Sequence, residues 1–170
     1  MRALVKAIAI IAVAIIASAG YVYFARQFGG DGRRRAPASA VFAERATVRI
    51  PAANYTARVE VARTNEDRQQ GLSDRAALPS GTGLLMVFDQ PDTFGIWMPR
   101  MRFSIDVIWI STGAVVDVTE RLPIPPRGET YLPIFRPKVP ALLALEVPAG
   151  TVATAGIREG QRVEVVFDGG

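Results

Sequence analysis

From Ala46 onward apolar and polar residues mostly alternate, which is the period of half-buried β-strands. In Thr56–Arg63, Ala57, Val59 and Val61 take one set of alternate positions and Arg58, Glu60 and Ala62 the other, predicting a strand. Asn65 is placed to cap a short helix through Glu66–Gly71, with acids in its first turn and Gly71 near its end. Gly83–Phe88 reads as a short buried strand and Ile96–Met98 as another. Ile105–Ile110 and Ala114–Thr119 flank Ser-Thr-Gly, predicting a hairpin turn with Gly113 at positive φ. Leu142–Val147 is strand-like. Pro148-Ala149-Gly150 leads into a helical turn or two over Thr151–Ala155, which Gly156 ends. Gln161–Phe167 closes the chain with Val163, Val165 and Phe167 on one face.

Short strands, frequent Gly and Pro punctuation and one or two short helices predict a mainly β, β-rich α+β domain over residues 46–168. The expected architecture is a compact small barrel or a strongly curved mixed sheet, because Ile105–Ile110 is apolar on both faces and belongs near its centre. Leu122–Pro140 (LPIPPRGETYLPIFRPKVP) holds six of the twelve prolines and no helical pattern. A loop of that length is either functional or a crossover packed by its own side chains. Tyr131, Phe135, Arg127 and Arg136 are its candidate ligand-binding rim, against the simpler role of covering a sheet edge.

The N-terminus follows a different pattern. Ala7–Ala25 carries no charge and follows Arg2 and Lys6, so residues 1–26 read as an N-terminal hydrophobic helix, either a signal peptide or a membrane anchor. Ala17-Ser18-Ala19 offers a small-residue cleavage pattern, while Tyr21, Tyr23 and Phe24 suit an interfacial belt. Residues 27–45, rich in Gly, Arg and Ala, read as a flexible linker. Export follows as the expected localisation, to the periplasm or to the inner membrane with a periplasmic domain. The membrane is the expected partner of this segment.

Charge changes the picture once it is located. Residues 1–35 hold six basic groups and one acid, whereas residues 36–170 hold 14 basic and 15 acidic groups, scattered along the chain. The sequence pI near 10.0 therefore belongs to the N-terminus, and no concentrated footprint for nucleic acid is left in the body. The chain has no cysteine and no histidine. Serine–histidine and cysteine–histidine mechanisms and ordinary zinc sites are excluded, and neither a metal nor another cofactor is expected.

Several segments, in order, resemble the bacterial and archaeal domain-of-unknown-function family 192. They are Gln70-Gly71-Leu72-Ser73-Asp74-Arg75, Gly83–Phe88, WMPRMRFSIDVIWI at residues 97–110, and Leu143–Val165. The central block is similar to a Trp-Met-Lys-Asn-Thr…Pro-Leu-Asp pattern with Asp106 at its aspartate. It departs from that pattern at Arg100, where the family tends to have Asn, and at Ser104, where it tends to have Pro. The resemblance implies a compact β-rich domain, often exported or tethered, and no known activity.

The candidate chemistry rests on carboxylates. Asp106 shares a face with Ile108 and Ile110, and a carboxylate there must pair or shift its pKa. Arg75, Arg100 and Arg102 are its expected partners. Glycoside hydrolysis would need a second acid about 5–9 Å away, with Glu146, Asp117 and Glu120 as candidates and Glu146 foremost. Glu146 is alternatively suited to bonding backbone amides at the start of the following helix. Trp97 is the more exposed candidate for stacking on a ligand and Trp109 a core residue. The expected binding set is Arg75, Trp97, Arg100, Asp106, Tyr131 and Arg136. The expected function is an accessory or ligand-binding domain of the cell envelope with an unknown small-molecule or envelope partner. A carboxylate-dependent hydrolase of envelope polysaccharide, using Asp106 and Glu146, is the alternative.

Overall fold

The computed structural model describes residues 42–129 and 131–169. The expected N-terminal helix over residues 1–26, and the linker up to residue 41, lie outside them. No helix among the described residues is long and apolar enough to cross a membrane.

The strands are β1 (Arg45–Ile50), β2 (Tyr55–Ala62), β3 (Thr82–Asp92), β4 (Ile105–Ser111), β5 (Ala114–Leu122), β6 (Ala141–Pro148) and β7 (Glu164–Phe167). Two short helices join them, α1 (Asn65–Gln70) and α2 (Thr151–Ala155). The strands form one seven-stranded mixed sheet in the order β5-β4-β6-β3-β2-β1-β7. Only β2 and β3 run parallel, and α1 lies in the crossover between them, as parallel neighbours require. Of the two expected architectures, the mixed sheet is what forms, and it is not closed into a barrel. Its two edges meet just at a single bridge, Ala114 to Arg162, backed by main-chain bonds from Val115 to Gln161, from Gly160 to Val115 and from Val163 to Gly113.

Both faces of the sheet are buried, and alternation sorts the side chains between them. Leu84, Met86, Ile105, Val107, Trp109 and Ala144 form one core, covered by Leu72, Ile96, Met98 and Met101 from the loops. Val48, Ile50, Val59, Val61, Leu85, Ile108, Ile110 and Leu145 form the other, covered by Val152 and Ile157 from and after α2. Residues Ile105–Ile110 of β4 are all buried, which explains why that segment is apolar at every position but one. Trp109 is fully buried, its indole N–H donating to the Thr119 hydroxyl at 3.0 Å. Gly83 marks the close approach of β3 to β6, since a Cβ there would stand 2.5 Å from the Glu146 carbonyl oxygen.

Local expectations hold with a few shifts. The hairpin turn is Thr112-Gly113, with φ of 48° and 73°, the mirror-image turn that fits the twist of the flanking strands. The cap of α1 is Thr64 rather than Asn65: its hydroxyl accepts the Asp67 amide at 3.1 Å, leaving Asn65 inside the first turn. Ile96 makes one bridge, to Phe135, instead of a strand. Strand β7 begins at Glu164 because the residues before it turn toward β5.

Candidate functional site

Asp106 is completely buried, and its partners are main-chain amides rather than an arginine. One oxygen accepts the Arg121 amide at 2.8 Å and the other the Val152 amide at 2.9 Å. The first bond holds a bulge. Ile105 and Val107 pair with Leu122 and Thr119, so β5 has one residue more than β4 here, and Arg121 adopts φ of 52°. The second bond serves the first turn of α2, whose cap position is Gly150 and has no side chain to offer. Asp106 thus performs the capping role expected of Glu146.

The expected arginine partners are engaged elsewhere or face solvent. Arg75 forks onto Glu60 with two bonds of 2.8 Å. Arg100 donates Nε to Asp74 at 2.8 Å. Arg102 is exposed.

Glu146 is buried on the opposite face of the sheet. Asp106 pairs with Val147 and Val107 with Glu146, so adjacent register positions send the two carboxylates to opposite sides. Burial pushes the Glu146 carboxyl up to about 8, against the pull of the Arg75 guanidinium. Glu60 lies in the same row, separated from Glu146 by Leu84. Burial works to raise its carboxyl too. The Arg75 fork, the Phe42 amide and the Arg45 charge prevail and hold it below the usual carboxylate range. Asp106 and Glu146 therefore share no face of the sheet on which to work as an acid and base pair.

The proline-rich loop divides into an anchored half and a looser one. Asp117, buried on β5, accepts the Lys138 amide at 2.9 Å, the Lys138 ammonium at 3.0 Å and the Val118 amide at 2.9 Å. Burial alone would raise its carboxyl, but those bonds lower it. Arg136 donates to the Thr93 carbonyl at 2.6 Å, and Phe135 packs on the core beside its bridge to Ile96. Tyr131 is 82% exposed and Trp97 41% exposed. The expected rim therefore does not converge: Phe135 and Arg136 fasten the loop and Tyr131 points outward. Of that rim, Arg127 lines a cavity of substantial size.

That cavity is a cleft of about 680 Å³ lined by two segments and the loop. Asp74, Pro99, Arg100, Met101 and Arg102 form one side, and Pro125, Pro126, Arg127, Gly128, Glu129 and Leu132 the other. Its floor is fixed by a reciprocal clasp. The Asp74 amide donates to the Arg100 carbonyl at 3.1 Å while the Arg100 side chain returns to the Asp74 carboxylate. Both residues sit in the left-handed region, at φ of 67° and 54°. Non-glycine residues hold that conformation only when their surroundings impose it. Asn tolerates it best after glycine, which gives a physical reason for Asn in the family pattern where this chain has Arg100. Among the described residues, no three or more acidic side chains gather in a geometry fit for a metal ion.

The clasp joins two of the segments on which the family resemblance rests, and the whole sequence bears it out. Residues 46–165 match domain-of-unknown-function family 192, described as Uncharacterized ACR. The chain belongs to this family. Two solved structures share the fold of this family member. One is a Sinorhizobium meliloti 1021 protein provisionally described as a transcription regulator, 27% identical, with a TM-score of 0.64 over 75% of this chain and 97% of that one. The other is a Novosphingobium aromaticivorans DSM 12444 protein of unknown function, 25% identical, with a TM-score of 0.61 over 78% and 99%. No curated protein matches the chain.

Proposed function

We propose that this family-192 chain is a ligand-binding domain of the bacterial cell envelope, carried there by its N-terminal apolar run, and that it takes a small molecule in the Asp74–Arg100 cleft. The cleft carries this reading. Its volume lies within the range of small-molecule sites, and its lining mixes charged side chains with prolines, Met101 and Leu132. Two residues are held in costly backbone conformations at its floor, which is where strain is commonly kept for function. The four carboxylates nearest the cores, Asp106, Asp117, Glu60 and Glu146, lie outside its lining. What speaks against hydrolysis by Asp106 and Glu146 is that the sheet separates them. Regulation through DNA contact would need a basic face, and residues 36–170 carry 14 basic against 15 acidic groups.

The test is a thermal-shift screen of the full-length chain against a small-molecule collection, repeated on Leu132→Trp, which fills the cleft. The expected result is at least one stabilising compound whose shift disappears in the variant, while the ligand-free midpoint stays within about 2 °C. Compounds that stabilise both proteins equally would move the site elsewhere and overturn the assignment.

A further inference from the structure

The cleft has more hydrogen-bond donors than acceptors, and its donors are of one kind. Three guanidiniums line it, Arg100, Arg102 and Arg127, against two carboxylates, Asp74 and Glu129. Each carboxylate accepts one hydrogen bond: Asp74 from Arg100 Nε, and Glu129 from the Tyr131 amide at 3.0 Å. Arg100 spends one of its five donors on that bond, leaving both terminal nitrogens for other use. Arg102 and Arg127 make no hydrogen bond or ion pair with any described residue, and both are exposed. They come from different stretches of the chain, Arg102 directly after Met101 and Arg127 from the loop. The remaining lining is Pro99, Met101, Pro125, Pro126 and Leu132, with Gly128, and these side chains offer no donor at all. The polar chemistry of the cleft is therefore guanidinium forks set among apolar walls.

Forked guanidiniums match carboxylate and phosphate oxygens, two parallel bonds at a time. Apolar walls suit a body without polar atoms. Resting on the reading of the cleft as a ligand site, we propose that its ligand is an organic oxyanion: an apolar body ending in a carboxylate or phosphate, the oxygens gripped between Arg102 and Arg127 with Arg100 beneath. A free organic acid and an acidic lipid headgroup share this chemistry.

The probes are phenyl phosphate and benzoate, with benzyl alcohol as the neutral body of the same shape, titrated calorimetrically into the full-length chain. At least one oxyanion is expected to bind, and the alcohol is not. Arg102→Gln and Arg127→Gln are each expected to weaken binding about tenfold or more, the effect of losing a charge-assisted bond. Arg49→Gln, exposed on β1 and outside the cleft lining, is expected to leave affinity unchanged. Both cleft arginines are without partners among the described residues, and thermal midpoints serve as the check that the variants stay folded. Adding vesicles separates the two sources. Competition by phosphatidylglycerol but not phosphatidylcholine assigns a lipid headgroup, and absence of competition assigns a soluble acid. Equal binding of benzyl alcohol, or full affinity in the Arg102→Gln/Arg127→Gln double variant, would overturn the oxyanion while leaving the cleft as a ligand site. If the oxyanions fail although the small-molecule screen finds a cleft ligand, this inference falls alone; if the screen is also empty, both readings fall.

Discussion

Asp106 accepts from two main-chain amides, one at a bulge and one at the start of a helix. Asp106→Asn keeps one accepting oxygen and turns a donor toward the second amide. Hydrogen bonds to a charged group contribute about 1.5–3 kcal/mol each, and a buried amide left unpaired adds to the loss. Denaturant unfolding is expected to show a loss of about 2–4 kcal/mol, with ligand binding in the cleft retained at conditions where the variant is folded. Glu146 makes a different prediction. Its folded pKa, near 8, lies above that of an ordinary carboxyl, so the protonated form is the one the fold favours. Its contribution is fully present below about 4.5 and is lost as pH rises to about 8, with a slope of up to about 1.4 kcal/mol per pH unit. Glu60 works in the opposite sense, since its lowered carboxyl adds stability that is lost on acidification. Unfolding curves of the wild type and Glu146→Gln across pH 5 to 8 are expected to diverge, with the variant flatter. Parallel curves would mean that Glu146 is ionised in the fold.

The strands were legible in the sequence because the apolar pattern survives burial: Thr56–Arg63 reads correctly as β2, and Ile105–Ile110, apolar at all but Asp106, as a strand covered on both faces. The cap of α1 was displaced by one residue, since Thr64 and Asn65 both suit the position and only backbone geometry chooses between them. What alternation does not encode is where a strand stops hydrogen-bonding to its neighbour. Gln161–Val163 leaves β7 to tie down β5, and the bulge at Arg121 arises from pairing across the hairpin. The loop belongs to this scale too. Asp117 holds its C-terminal half by two hydrogen bonds, both donated by Lys138. Asp117→Ala is expected to speed amide exchange through residues 132–140 by about tenfold or more while exchange in β3 and β6 stays unchanged. Equal protection in the variant would show that Phe135 and Arg136 alone hold the loop.

For the described domain as a whole, the sheet positions the candidate site without contributing its core acids to it. The cleft draws on three stretches far apart in sequence, so no local spacing announced it. Arg100 was singled out for its departure from a family pattern, and Arg127 as part of a loop rim. Their convergence depends on Asp74 meeting Arg100 in a shared left-handed clasp, a property of backbone angles that composition does not carry. Arg102 was read as a partner for Asp106; it follows Arg100 through a turn and a bend, so no strand alternation could have placed the two arginines together.

The separation of a structural acid from a binding cleft is tested most directly by mapping a bound ligand residue by residue. In a nuclear magnetic resonance titration of the full-length chain with phenyl phosphate, the largest amide shifts are expected at Asp74, Arg100, Arg102, Arg127 and Glu129. Amides around Asp106, Arg121 and Val152 are expected to stay in place. Shifts centred on Asp106 or Glu146, with the cleft unmoved, would contradict the account.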